Sequence, residues 1–325
     1  MSDTANFADI VTAASRIKGY ATRTSLIESP FINEKLGGRA LFKPECLQKT
    51  GSFKFRGAIN TINALSDQQK KKGVVAFSSG NHAQGVAHAA QLAGIPAVII
   101  MPADAPKIKI ENTRAYGAEV ILYDRYNEDR EAIGLKVQEE RGSYLIKPYD
   151  AELTLTGQGT AGLEIAEDCK AMGIDPDQLL SPCGGGGLMA GLCLAMAETF
   201  PETKLYGVEP ADFDDTKRSL ETGCYEENDP SARSICDALL SPSPGKITFP
   251  INQNRLSGGL SVTDEEVKHA MRIAFRDLKL VVEPGGVVAL AALLAGKIDT
   301  KDKTTIIVLS GGNVDDEMYR SILAE

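Results

Sequence analysis

The sequence predicts an α/β protein of two compact units built on open, twisted, mostly parallel sheets. Three observations point there. A chain of 325 residues is longer than one hydrophobic core usually serves and suits two. Short apolar runs alternate with helically patterned segments, as parallel βαβ units require. Glycine-rich turns follow several of those runs, at the strand ends where such sheets hold ligands.

The first series of runs is VVAFSS (74–79), AVIIMP (97–102), EVILYD (119–124) and SYLIKPY (143–149), each of strand length and bounded by turn residues. Segments 81–93, 106–116 and 128–141 between them read as helices. In the second series LLSP (179–182), KLYGVEP (204–210) and TTIIVLSGG (304–312) read as strands, with helices near 157–171, 187–199 and 263–278. The last of these opens on Thr263-Asp264-Glu265-Glu266, a capping-box pattern. The stretch 212–260, rich in glycine and proline, reads as loop elaboration.

A net charge of -9 and a pI near 5.1 argue against nucleic acid or an anionic membrane as the main partner, since both need a basic footprint. Small molecules suit this chain better. Its six cysteines form no CxxC and no Cys/His cluster, which reads as a reduced, cytoplasmic protein. No apolar run approaches the roughly 20 residues of a membrane helix.

Three post-strand turns carry the chemistry: SSGNHAQG (78–85), CGGGGLMAG (183–191) and SGGNVD (310–315). Any one of them alone is as well explained by a tight strand-to-helix turn. Together they suggest a shared site. Gly184, Gly185, Gly186 and Gly187 lead into an apolar helix, where backbone N–H groups converge on an anion such as phosphate. No Gly-Lys-Ser/Thr follows, so this is not a nucleotide P-loop. Gly185-x-Gly187-x-x-Ala190, with Glu209 ending the next strand, also fits a permissive dinucleotide fingerprint, although Pro182 directly before the loop speaks against it. A nicotinamide oxidoreductase therefore stays open as an alternative.

GSFKFRGA (51–58) sets Lys54 between Phe53 and Phe55. By itself this is accounted for by an exposed helix start whose lysine stem lies on the aromatics. Alongside a phosphate cradle it takes another meaning, because pyridoxal 5'-phosphate (PLP) needs a lysine for its Schiff base and a separate anion site. At these motifs the sequence resembles the fold type II PLP enzymes, within them the serine/threonine dehydratase, serine racemase and 3-hydroxyaspartate dehydratase group. The likeness spans nearly the whole chain.

The resemblance implies a role for each matching residue. Lys54 is the Schiff-base lysine, Asn81 meets the cofactor's 3-hydroxyl, Gly184 to Gly187 hold its phosphate and Ser310 faces the pyridine nitrogen. Ser78, Ser79, Asn81 and His82 line the substrate carboxylate, and in racemases the serine matching Ser79 is a second acid/base. Arg130, with Ser241 as companion, suits a second carboxylate and favours 3-hydroxyaspartate, with serine and threonine next, although a solvated helix start also explains Arg130 and Arg125. Glu209, Asp215 and the Phe213 carbonyl match a Mg²⁺ or Ca²⁺ site, where an acidic surface loop is the plainer explanation. Gly285-Gly286 in VEPGGVVAL departs from the commoner EPSGA and leaves Glu283 without an assigned role.

The same likeness implies a tryptophan synthase β-like fold: a small domain over 48–148 inserted in a large one made of 1–47 and 149–325, with PLP in the cleft. The expected activity is elimination of a β-hydroxyl to give an oxo acid and ammonia, with serine racemisation as the alternative. A homodimer is expected. A catalytically silent PLP or amino-acid binder of the same fold is the remaining possibility.

Overall fold

The alternating runs resolve into two sheets in a computed structural model that describes residues 5–78, 80–105, 107–125 and 127–325. In chain order the first strands are β1 (Ile27–Glu28), β2 (Arg39–Pro44), β3 (Val74–Phe77), β4 (Ala97–Pro102) and β5 (Glu119–Tyr123). Then come β6 (Tyr144–Leu145), β7 (Gln178–Pro182), β8 (Lys204–Pro210), β9 (Gly258–Val262) and β10 (Thr304–Leu309). One sheet has the order β1-β2-β10-β7-β8-β9 and is parallel except for β1; the other, β5-β4-β3-β6, is all parallel.

Strands covered by helices on both faces must be apolar throughout, which is why these runs do not alternate with polar residues. Leu180, Ile307 and Leu309 of β7 and β10 pack on one side with helix Pro284–Leu294, which is buried through Leu293. Their neighbours Leu179, Ile306 and Val308 pack on the other side with helix Gly187–Thr199. The smaller sheet repeats the pattern, with Val74, Ala76, Ile99 and Met101 facing one core and Val75, Phe77, Val98 and Ile100 the other.

The capping box at Thr263 forms as the sequence indicates. Two expectations need correction. The stretch 212–260 contains helices Asp215–Thr222 and Thr248–Arg255 and the start of β9, whose Gly-Gly opening and half-buried position at a sheet edge leave little periodicity to detect. The helix expected over 263–278 is α-helical only through Asp264–Ile273 and continues as a π turn over Ala274–Leu278.

A buried ion cluster fastens the start of helix Lys54–Ala64. Arg56 is fully buried and donates to Glu45 at 2.7 and 2.8 Å and to Glu164 at 2.7 and 2.8 Å. Lys43 of β2 donates to Glu164 and to the Thr24 carbonyl, both at 2.5 Å. The cations match the carboxylates, and the neighbouring cations hold Glu45 below the ordinary carboxylate range despite its burial.

Candidate active site

The carboxyl ends of both sheets open on one cleft, lined from the two sides by Lys54, Asn81, Gly184 to Gly187 and Ser310. Segments distant in sequence meet there because the chain before Lys54 is stitched to the turn after β10. Phe53 N donates to Ser310 O at 3.1 Å, Gly312 N to Gly51 O at 2.8 Å, and Ser52 bridges Gly311. Lys54 is the first residue of its helix. Its Nζ donates to the Pro148 carbonyl at 2.7 Å and stands 5.0 Å from the Phe53 ring centre. Desolvation lowers its pKa to about 8, with Glu283 pulling weakly the other way, so a usable fraction of the amine is neutral near pH 7 to 8.

Gly184 to Gly187 join β7 to helix Gly187–Thr199. Gly186 has φ +84°, and a Cβ on Gly185, Gly186 or Gly187 would come within 2.3 Å of the Tyr149 ring, 2.6 Å of Asn252 Nδ2 or 2.8 Å of Gln158 Oε1. Only glycine fits those three positions. Gly184 differs, since a Cβ there would make ordinary contacts at 3.4 Å with Leu239 and Ser241. Thr248 Oγ1 and Asn252 Nδ2 hold the Gly185 and Gly186 carbonyls at 2.7 and 3.3 Å. The loop's N–H groups find no protein acceptor among the described residues, as at an anion-binding helix N-terminus.

Asn81 begins helix Asn81–Ala93, donates to Glu283 Oε1 and accepts from Asn313 Nδ2 at 2.7 Å. Ser78 reaches the cleft with its N–H on the Ile100 carbonyl at 3.0 Å. Ser79 lies outside the described residues. His82 is buried, its Nε2 sits 2.9 Å from the Ile146 carbonyl, and burial pushes its pKa down to about 3. The ring is therefore neutral with the proton on Nε2, and Nδ1, which has no partner among the described residues, is an acceptor. Such an atom suits an N–H or O–H of a ligand better than a carboxylate.

Arg130 and Ser241 also line the cleft. The Arg130 guanidinium lies over the Phe77 ring at 5.6 Å and has no acidic partner among the described residues. Arg125, by contrast, is tied to Asp104 at 2.7 Å.

Nothing in the sequence indicated how Glu283 would be used. It stands at the N-cap position of helix Pro284–Leu294 with its side chain turned to Asn81, is buried there, and desolvation lifts its pKa to about 7. Its Oε2 has no partner among the described residues. Gly286 lets that helix approach, since a Cβ there would lie 2.3 Å from the Gly311 carbonyl. Tyr149, Lys109 and Asp237 line the cleft as well and were not singled out; only their placement after strands or inside the 212–260 stretch could have drawn attention to them.

Away from the cleft, Glu209 ends β8 fully buried and accepts from the Thr216 and Lys217 amides at 3.0 and 2.8 Å. With its carboxylate so engaged it is not free to bind a ribose, which removes the main support for the dinucleotide fingerprint. Asp215 accepts from Asn228 Nδ2 at 2.6 Å and leaves Oδ2 buried without a partner among the described residues. Desolvation raises both carboxyls, Asp215 to about 6 and Glu209 well above the ordinary range. Phe213 is buried on the intervening turn. Among the described residues no group of three or more His, Cys, Asp or Glu side chains is arranged for a metal.

A lysine of lowered pKa facing a side-chain-free cradle of unused amides is what PLP requires, and the family comparison agrees: residues 17–311 match the family model described as pyridoxal-phosphate dependent enzyme. The chain belongs to that family. It is 43% identical to an L-threo-3-hydroxyaspartate ammonia-lyase of Pseudomonas sp, over 98% of both chains. It is 40% identical to a serine racemase of Schizosaccharomyces pombe, over 98% of this chain and 97% of the relative. Among solved structures, the T.th. threonine deaminase superposes with a TM-score of 0.90 at 45% identity, covering 95% of this chain and 99% of that one. The protein is thus a PLP enzyme of the fold type II class. Among its described residues no helix is long and apolar enough to cross a membrane.

Proposed function

We propose that this PLP enzyme is an ammonia-lyase for a 3-hydroxy amino acid, with 3-hydroxyaspartate as the preferred substrate. The observation that carries the choice is Arg130, a cleft-lining guanidinium with no acidic partner among the described residues, on the same cleft as Lys54. A planar guanidinium binds a carboxylate through two parallel hydrogen bonds, and a second carboxylate distinguishes 3-hydroxyaspartate from serine and threonine. The relatives that act on 3-hydroxyaspartate, serine and threonine support the reaction class.

In this reading Lys54 holds the cofactor's carbonyl carbon, the Gly184 to Gly187 amides its phosphate, Asn81 its ring hydroxyl and Ser310 its ring nitrogen. PLP, when bound, supplies the electron sink that acidifies the substrate Cα. With PLP bound, Lys54, kept partly neutral by desolvation, would be placed to take the Cα proton. Glu283 and Asn313 fix the Asn81 amide from both ends, so its remaining N–H points where they leave room. Loss of the β-hydroxyl and hydrolysis then release an oxo acid and ammonia. A Mg²⁺ or Ca²⁺ ion at Glu209, Asp215 and the Phe213 carbonyl, supported by the unpartnered Asp215 Oδ2, belongs to this proposal as a structural ion.

Oxo-acid release from 3-hydroxyaspartate, L-serine and L-threonine tests it. Wild type should prefer 3-hydroxyaspartate, and Arg130→Met should lower kcat/KM for that substrate by on the order of 2–4 kcal/mol while affecting serine far less. Equal losses reject Arg130 as the discriminator. Colour without ammonia from any hydroxy amino acid would leave a silent binder instead.

A further inference from the structure

One ion pair among the described residues has both of its side chains on the cleft wall. Lys109, in helix Lys107–Ala115 beside the smaller sheet, is 4% exposed, and its Nζ lies 2.6 Å from Asp237 Oδ2. Asp237 opens the turn Asp237–Leu239 on the larger sheet's side, four residues before Ser241. The lysine stem rests on Gly80, next to Asn81: a Cβ on Gly80 would be 3.0 Å from Lys109 Cδ and 3.2 Å from Nζ. The pair therefore reaches from the asparagine loop to the loop carrying Ser241.

Asp237 places a carboxylate, 40% exposed at its side chain, on the wall of a cleft read as taking a dicarboxylic amino acid. Unneutralised, it would repel the second carboxylate of such a ligand while acting less on a ligand without one. The other cleft cations are not placed to neutralise it. Arg125 is held by Asp104, Lys54 is turned to the Pro148 carbonyl, and Arg130 lies over Phe77. Lys109 is the cation in contact, and against the desolvation of its burial the Asp237 charge keeps it protonated.

We propose that the Lys109–Asp237 pair is a specificity determinant: Lys109 neutralises Asp237 so that the cleft admits a ligand bearing a second carboxylate. The inference rests on the cleft being the amino-acid site. The pair acts on selection between ligands, separately from Arg130, which would contact the second carboxylate itself.

Binding of L-aspartate and L-alanine to the PLP-loaded protein, read from its visible absorption band, tests this without elimination, because neither amino acid has a β-hydroxyl to lose. Lys109→Met should weaken L-aspartate relative to L-alanine by about ten- to a hundredfold, the range of an uncompensated charge in a partly desolvated site. Asp237→Asn should shift the ratio the opposite way. Lys109→Met combined with Asp237→Asn should return it to within about threefold of wild type, since the two substitutions share one interaction. Equal weakening of both ligands in Lys109→Met, or a double variant that keeps the single variant's ratio, overturns the proposal. Melting temperatures identify any variant that does not fold; if Lys109→Met is one, an unshifted ratio in Asp237→Asn, at the more exposed partner, overturns it by itself. A coloured wild type that responds to neither amino acid overturns the amino-acid site and this inference together, whereas response with unchanged ratios removes this inference alone.

Discussion

Two buried clusters of charge in this protein are built on opposite terms. Around Arg56, two cations and two carboxylates lie within hydrogen-bond reach of one another. Around Glu209 and Asp215, two carboxylates are buried together, hydrogen-bonded by the Thr216 and Lys217 amides and by Asn228, with no cation in direct contact among the described residues. The first holds Glu45 charged in the interior, while the second pushes its carboxyls toward the protonated form. Burial alone therefore does not decide the charge of an acid; its company does. A balanced cluster is a finished piece of structure. An unbalanced one holds acids whose charge depends on what approaches them.

Breaking the balanced cluster should have the largest effect. Arg56→Met leaves Glu45 and Glu164 without their main partner and should cost about 3–5 kcal/mol of unfolding free energy, measured by urea titration. A loss under about 1 kcal/mol would show the network relaxing freely. The unbalanced cluster should respond to what is added. Chelation should lower the melting temperature and Mg²⁺ or Ca²⁺ restore it, by up to about 2.7 kcal/mol at a hundredfold excess over Kd. Asp215→Asn should abolish that response. Identical melting with and without cation, in protein verified metal-free, would return Glu209 and Asp215 to the role of an acidic turn.

pH separates the clusters more gently. A carboxyl whose folded pKa is raised binds its proton more tightly in the native state, so its contribution to stability is lost as pH rises from the unfolded value of about 4 through the folded one. For Asp215 that window ends near pH 6, and for Glu209 it extends higher. Metal-free protein should thus lose stability over this range, and a saturating cation, which competes with the protons, should flatten the slope. The smallest effect is expected at Arg125, whose exposed pair with Asp104 is worth about 0–1 kcal/mol. Arg125→Ala should leave melting and ligand selectivity nearly unchanged.

What could be read from sequence follows the reach of each signal. The Gly184–Gly187 loop stood out because a run of four glycines is a local signal, whereas Lys54 between its two phenylalanines drew attention only beside that loop and through the family resemblance. Both parallel strand series were legible because two-sided burial makes continuous apolar runs. β9 was not, since its Gly-Gly start and partial exposure erase both signals. The contacts of Glu283, Lys109 and Asp237 were hidden for another reason. Each depends on a partner more than a hundred residues away, Asn81 for Glu283 and one another for the ion pair, and no local pattern encodes such a meeting.

The bonds joining Gly51 and Phe53 to Ser310 and Gly312 also bear on how the protein is made. β2 ends at Pro44 and lies beside β10, which starts at Thr304, so the middle of the larger sheet stays incomplete until β10 has left the ribosome. At translation rates of about 5–20 residues per second, that is a wait of roughly 10–50 s during which the Lys54 segment exists without its clamp. A nascent chain cannot assemble the cofactor pocket before then. Capture of PLP at the proposed site should accordingly come late in synthesis, and ribosome-bound chains stalled short of β10 should not develop the absorption band of a PLP-loaded protein when PLP is supplied.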